Sequence, residues 1–304
     1  MGGVRVTQGM IVQRTLSNIN HHLHAIFRLQ DQLATGLRVN SPSEDPIAVR
    51  RAIDARASIQ RNEQYLANME SVGSQLTETT TTLQSVINTL QRAMELAIQG
   101  ANGTNSQTQM GQIAGEVDQL IEGMLDLANH KTNDRYIFSG TRTKTKPFAV
   151  ARDVDGFVTA VTYEGNDETI EVAVSDGIRV AANEPGSAPF MSGRDLFQVL
   201  IEIRDSLRSG DQASVQNVLL DDLDVGMEQV LLSMARIGAV QNRIERGITD
   251  IEEFTISIEQ LLSDTIDADF AETILNLNAQ SNAFQAALNA GARVIQPSLL
   301  DFVS

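Results

Sequence analysis

The sequence has no cysteine and no tryptophan, and aromatic residues make up only 4% of its 304 positions. Without a thiol there is no disulfide framework, iron–sulfur cluster, zinc–thiolate site or cysteine nucleophile. A thiol-free chain can also cross an export channel unfolded without cross-linking. Scarce aromatics argue against the pockets and hot spots that depend on them, and favour long helices held by aliphatic seams. Positive charge is short as well: 23 Lys and Arg face 39 Asp and Glu, for a net charge of −16. That balance argues against a nucleic-acid partner, because phosphate binding needs basic side chains to displace counterions. No apolar run approaches the roughly 20 residues that span a bilayer. The opening Met1-Gly2-Gly3-Val4-Arg5-Val6-Thr7 has no apolar core of a secretory signal. An extracellular destination therefore requires a route without a cleaved signal.

Catalytic patterns are missing too. There is no phosphate-binding glycine loop, dinucleotide fingerprint, G-x-S-x-G elbow or H-E-x-x-H. The four histidines are His21, His22, His24 and His130. The first three share one helical stretch with no carboxylate beside them to complete a metal triad, so they read as solvated or partner-facing. Asp221-Asp222-Leu223-Asp224-Val225-Gly226 lacks the glycine position and closing Glu of a calcium loop and reads as an acidic helix face. The expectation is a protein that is not an enzyme, with no catalytic residue, metal or cofactor.

What the sequence has in abundance is helical spacing. Apolar residues recurring alternately at three and four positions mark a helix with a narrow seam. Near the start the series is Val12, Leu16, Ile19, Leu23, Ile26, Gln30, Leu33, Leu37; near the end it is Phe270, Ile274, Leu277, Ser281, Phe284, Leu288, Gly291, Ile295. Three more lie between, over Leu66–Ala97, Met110–Leu127 and Ile237–Leu262. Asn40-Ser41-Pro42-Ser43-Glu44-Asp45-Pro46 separates the first helix from the second, with Asp45 as N-cap and Pro46 at the first helical position. Residues 100–106 read as a turn between antiparallel helices. From about Tyr136 to Met191 the helical period vanishes. Phe157–Tyr163 is β-branched and aromatic, Ile170, Val172 and Val174 alternate with Glu171 and Ala173, and Asp155-Gly156 and Asp176-Gly177 are hairpin-turn pairs.

These patterns predict a mainly α protein: a long antiparallel helical rod with paired N- and C-terminal coiled-coil helices and a small β-rich insertion. The expected divisions are a discontinuous coiled-coil domain from 1–44 with 264–304, a rod from 45–136 with 193–263, and a β-rich outer domain at 137–192. The expected assembly seam is Leu16, Ile19, Leu23, Ile26, Leu33 and Leu37 against Phe270, Ile274, Leu277, Phe284, Leu288 and Ile295. Neither terminal helix has enough apolar surface to be stable alone. Residues 1–60 carry seven Arg against four acids, and residues 241–304 three Arg against ten acids. Opposite charge favours encounter of the two ends and biases their register.

Leu33-Ala34-Thr35-Gly36-Leu37-Arg38-Val39-Asn40-Ser41-Pro42-Ser43-Glu44-Asp45-Pro46 resembles the amino-terminal signature of the bacterial flagellin superfamily. Three further stretches resemble its hook–filament junction members over its filament flagellins: Arg135–Thr141 through Lys146-Pro147-Phe148, Gly193-Arg194-Asp195-Leu196-Phe197 before a helix ending at Ser209-Gly210-Asp211, and the closing Gln296-Pro297-Ser298-Leu299-Leu300-Asp301-Phe302. The resemblance implies a structural protein of the flagellum, outside the cell and exported by the type III route. It implies a self-associated short helical collar between hook-associated protein 1 and flagellin, with a cytoplasmic export chaperone before secretion. A short filament-forming flagellin is the alternative.

Overall fold

A computed structural model describes the backbone of residues 8–303 and the side chains of residues 9–216 and 219–293. Helix α1 spans Gln8–Thr35. It stops at Gly36, whose φ of +74° is the left-handed conformation that glycine adopts without a Cβ penalty. The Gly36 N–H donates to the Gln32 carbonyl at 2.9 Å. The link to α2 (Pro46–Gly100) is built by two carboxylates. Glu44 Oε2 accepts from the Asn40 amide at 2.8 Å, and Asp45 Oδ1 caps α2 by accepting from Ile47 and Ala48 at 3.2 and 2.9 Å. This is the capped, proline-first start expected from the sequence. After the turn, a Ser106–Gln109 capping box opens α3 (Gln107–Ala128).

The insertion is three separate antiparallel hairpins rather than one sheet. They pair β1 (Lys131–Thr132) with β2 (Arg135–Tyr136), β3 (Phe148–Arg152) with β4 (Val158–Tyr163), and β5 (Glu171–Ser175) with β6 (Ile178–Ala181). Gly156 and Gly177, at φ +90° and +69°, turn the second and third. Helices α4 (Ser187–Met191) and α5 (Leu196–Ser209) lead back. A short α6 (Gln212–Ser214) and one π-helical turn at Val215–Leu219 run into α7 (Leu220–Ile266). Helix α8 (Phe270–Val303) follows. The seam expected over Ile237–Leu262 is thus part of a longer helix that begins just after the π turn.

The chain forms two compact units, one holding everything up to Arg61 and from Glu253 onward, the other Asn62–Glu252. The second unit carries the large core. Leu83, Leu90, Val117, Ile121, Leu200, Ile203, Leu223 and Ile237 bring α2, α3, α5 and α7 together at helical spacing. Aliphatic seams are not its whole basis. Phe138, Phe148, Tyr163, Phe190 and Phe197 gather around one point, with neighbouring ring centroids 5.1–5.7 Å apart. Each such pair adds about 0.5–1.5 kcal/mol beyond area burial. The Tyr163 hydroxyl donates into the carbonyls of Phe138 and Asn166, both at 3.0 Å, and burial pushes the phenol up to about 12.

The junction-like stretches find their physical reasons in this unit. Asp195 caps α5 by accepting from Phe197 and Gln198 at 3.0 and 3.1 Å. Gln229 holds the return loop, its Oε1 accepting from the Gly193 and Arg194 amides at 2.9 Å each and its Nε2 donating to the Arg194 carbonyl at 2.8 Å. The acidic face read at 221–224 is only partly solvated: Asp222 is buried and pairs with Arg194 Nε at 2.7 Å. His130 Nε2 lies 2.8 Å from Glu78 Oε1.

Candidate functional site

The unit holding both ends is the candidate site, because it keeps the largest run of exposed apolar side chains on neighbouring helices. Backbone bonds tie its two helix links together. Arg38 N–H donates to the Ile266 carbonyl at 2.7 Å, and Ala268 N–H to the Gly36 carbonyl at 2.9 Å. A β-bridge joins Leu37 to Asp267. From this clasp α1 and α8 run antiparallel. Near it, Gly36 faces Phe270, with 3.9 Å from a Cβ placed on the glycine to the ring Cζ. At the other end, a Cβ on Gly291 would lie 3.1 Å from Thr15 Cγ2 and 3.6 Å from Ile19 Cδ1. At Gly291 the missing side chain lets the helix backbones approach that closely.

Burial follows a heptad. On α1 the heptad positions Val12, Thr15, Ile19, His22, Ile26, Leu29 and Leu33 are all shielded, with Leu23, Ala25 and Gln32 half-buried at their edges; on α8 the shielded heptad positions are Thr273, Leu277, Gln280, Phe284, Ala287 and Gly291, with Ser281 and Ala283 half-buried at their edges. His22 Nδ1 and Gln280 Oε1 meet across the contact at 2.8 Å. The contact therefore takes Ile19, Ile26, Leu33, Leu277 and Phe284 of the expected seam, and at Leu16, Leu23, Ile274 and Leu288 it takes instead the residue one position earlier: Thr15, His22, Thr273 and Ala287. Leu16, Phe270, Ile274 and Leu288 are exposed, while Leu23 and Leu37 are half-buried. Ile295 lies outside the described residues. The reason is width: each apolar stripe covers about three positions in seven, more than one helix can cover. Phe270 stays exposed over a glycine that has no side chain to shield it.

The remainder is not scattered. In an antiparallel pair the position that follows the second seam site of each heptad faces the same side on both helices. Leu16 and Leu23 of α1 and Ile274 and Leu288 of α8 occupy that position, and the exposed Phe27 of α1 lies beside it. One side of the pair is thus an apolar band contributed by both ends of the chain. The opposite flank carries Asn18, Ala25, Gln32, Asn276, Ala283 and Ala290.

Charge plays a smaller part than the sequence suggested. Among the described residues no ion pair joins α1 to α8, and α8 has no charged residue between Glu272 and Arg293. Most of the acidic surplus of the last 64 residues sits on α7. Among the described residues no cluster of His, Asp and Glu could hold a metal ion, and no helix is long and apolar enough to cross a membrane.

Comparison with known proteins matches the same parts of the chain. The bacterial flagellin N-terminal helical region matches residues 6–143, and the flagellin C-terminal helical region matches residues 220–303. Flagellar hook-associated protein 3 of Escherichia coli is 26% identical over 309 residues, covering 94% of this chain and 96% of its own. The flagellar filament 33 kDa core protein of Treponema phagedenis is 24% identical over 88% of this chain and 86% of its own. The crystal structure of flagellar hook-associated protein 3 from Legionella pneumophila superposes with a TM-score of 0.63 at 17% identity, covering 69% of this chain and 97% of that one, and shares its fold. The matched regions bring in both helices of the terminal pair and the clasp between them, and the chain belongs to the bacterial flagellin family.

Proposed function

We propose that this protein is a structural subunit of the bacterial flagellum that joins hook to filament. It assembles as a short helical collar between hook-associated protein 1 and flagellin. The observation that carries this reading is the apolar band along one side of the α1–α8 pair, on a chain similar to hook-associated protein 3 over nearly the whole length of both. Leu16, Ile274 and Leu288 are 51%, 48% and 44% exposed in the single chain. Such a band is covered at low cost when neighbouring subunits supply the missing apolar surface. The three-part division into terminal coiled coil, rod and β-rich outer domain belongs to the same reading, with the terminal pairs lining the inside of the tube and the insertion facing outward.

The type III export that the family resemblance implies belongs to the same reading, and a thiol-free, acidic polypeptide suits it. A cytoplasmic chaperone would shield the carboxy-terminal stripe beforehand. The test is a mixing experiment with hook-associated protein 1 and flagellin viewed by electron microscopy. Filaments growing on hook-associated protein 1 only when this protein is present support the reading; growth without it overturns it. The similarity to filament core proteins favours one other reading, a short filament-forming flagellin. In the same experiment that subunit would polymerise into long filaments alone, whereas a junction subunit stops at a ring.

A further inference from the structure

The unit formed by Asn62–Glu252 carries an unfilled groove of about 460 Å³ between β5–β6, α2 and α7. Its floor is apolar: Met69, Val174, Val180 and Ile244 are all buried. Its rim carries Arg243 and Arg246, with Asp250 beside them. Both arginines are exposed, and among the described residues neither is in an ion pair; Arg246 Nε donates to the Asn242 carbonyl. Two uncommitted arginines over an apolar floor are unusual on a chain with a net charge of −16.

The same unit presents the complement of this groove. The β3–β4 turn is Asp153-Val154-Asp155-Gly156, and Val154 is fully exposed at its tip. The turn is held firm. Asp153 Oδ1 accepts from the Asp155 and Phe157 amides at 3.0 and 2.8 Å, and Arg152 is clamped to Glu122. A rigid apolar knob between two carboxylates thus stands on the surface, opposite in charge to the groove rim and matched in polarity to its floor.

The tip cannot reach its own groove. Arg92 of α2 pairs with Glu116 of antiparallel α3, which sets Glu122, and the tip beside it, level with about residue 86 of α2. Met69 of the groove is about 17 residues further along, roughly 25 Å at 1.5 Å per residue. We infer that the occupant is a second copy of this chain, whose Asp153–Gly156 tip seats in the Met69–Ile244 groove. The contact is heterologous, knob on one copy and hole on the next, the kind that closes into a ring or continues as a helix. This inference rests on the collar reading above and adds to it a specific contact outside the helix pair.

The absence of native cysteine makes the test direct. In full-length protein carrying Val154→Cys and Ser175→Cys, no intrachain bridge can span about 25 Å, since Cα atoms must come within about 7 Å. Oxidation of the assembled protein should produce a disulfide joining position 154 of one copy to position 175 of another, identified by peptide mass. A control double variant, Val154→Cys with Thr104→Cys, should give about tenfold less. Arg243→Glu with Arg246→Glu should lower the 154–175 yield about tenfold, Asp155→Lys should restore part of it, and high salt should weaken it. Assemblies seen by electron microscopy without the 154–175 bridge overturn this contact and leave the collar reading standing. The bridge in protein that forms no junction with flagellin supports the contact and counts against that reading. Neither assembly nor bridge overturns both.

Discussion

The sharpest test of the apolar band is a triple substitution that leaves the α1–α8 contact untouched. Leu16→Gln, Ile274→Gln and Leu288→Gln replace side chains that are 51%, 48% and 44% exposed, beside the shielded heptad rather than within it. Full burial of such a side chain is worth about 1.5–3 kcal/mol, so the half still exposed offers about 1 kcal/mol to a neighbour. Three of them amount to about 3 kcal/mol per subunit contact, roughly a 150-fold change in association at 1.4 kcal/mol per decade. Glutamine keeps helix propensity close to that of leucine, so the helices themselves should persist. Circular dichroism of the full chain should show the same main melting transition, because the large core lies within Asn62–Glu252 and contains none of the three. Sedimentation with flagellin and hook-associated protein 1 should show the critical concentration for assembly rising by about two orders of magnitude. An unchanged critical concentration would show that the band is not an assembly surface, and a lowered main melting transition would make it part of the core.

Four further outcomes follow from the described geometry. Phe148→Ala, at a side chain fully buried against three aromatic rings, should cost about 3–5 kcal/mol by urea unfolding of the full chain, and a loss below 1 kcal/mol would contradict the cluster. Gly140→Ala should cost about 1–3 kcal/mol, since Gly140 has φ +66° and an added Cβ would collide with the Asn166 carbonyl; thermal melting measures it. Arg152 holds the Glu122 carboxyl below the usual carboxylate value of 4.5, so the pair stabilises the protein above that pH and the contribution is lost as pH falls through the lowered value. Stability measured from pH 7 down to 3 should fall less steeply in Arg152→Gln than in the native chain. Removing residues 1–44 and 264–304 should leave a monomeric body with near-native aromatic circular dichroism, and an unfolded product would refute that division.

Local chemistry wrote much of this protein openly. Gly36 had to end a helix, and Asp45 before Pro46 had to begin one, because a left-handed φ and an unsatisfied helix start each admit few residue types. The two Asp-Gly pairs fixed hairpin turns for the same reason. The seams over Leu66–Ala97 and Ile237–Leu262 are shielded at the positions their spacing indicated. Other features had no signature along the chain. Five aromatic side chains drawn from residues 138 to 197 form one cluster, and nothing in their spacing shows that they meet. Gln229 looks like any surface glutamine until the return loop arrives against it.

Periodicity determined that the first and last helices carry apolar stripes, because a 3.6-residue turn places residues three and four apart on one face whatever surrounds them. It could not determine which edge of each stripe the other helix would cover. Packing across the pair settled that, as at Gly291 against Thr15, where a missing side chain lets the helices meet closely at one rotation. That rotation leaves Leu16, Ile274 and Leu288 on the outside, because a two-helix pair has only one interior and each stripe is wider than it.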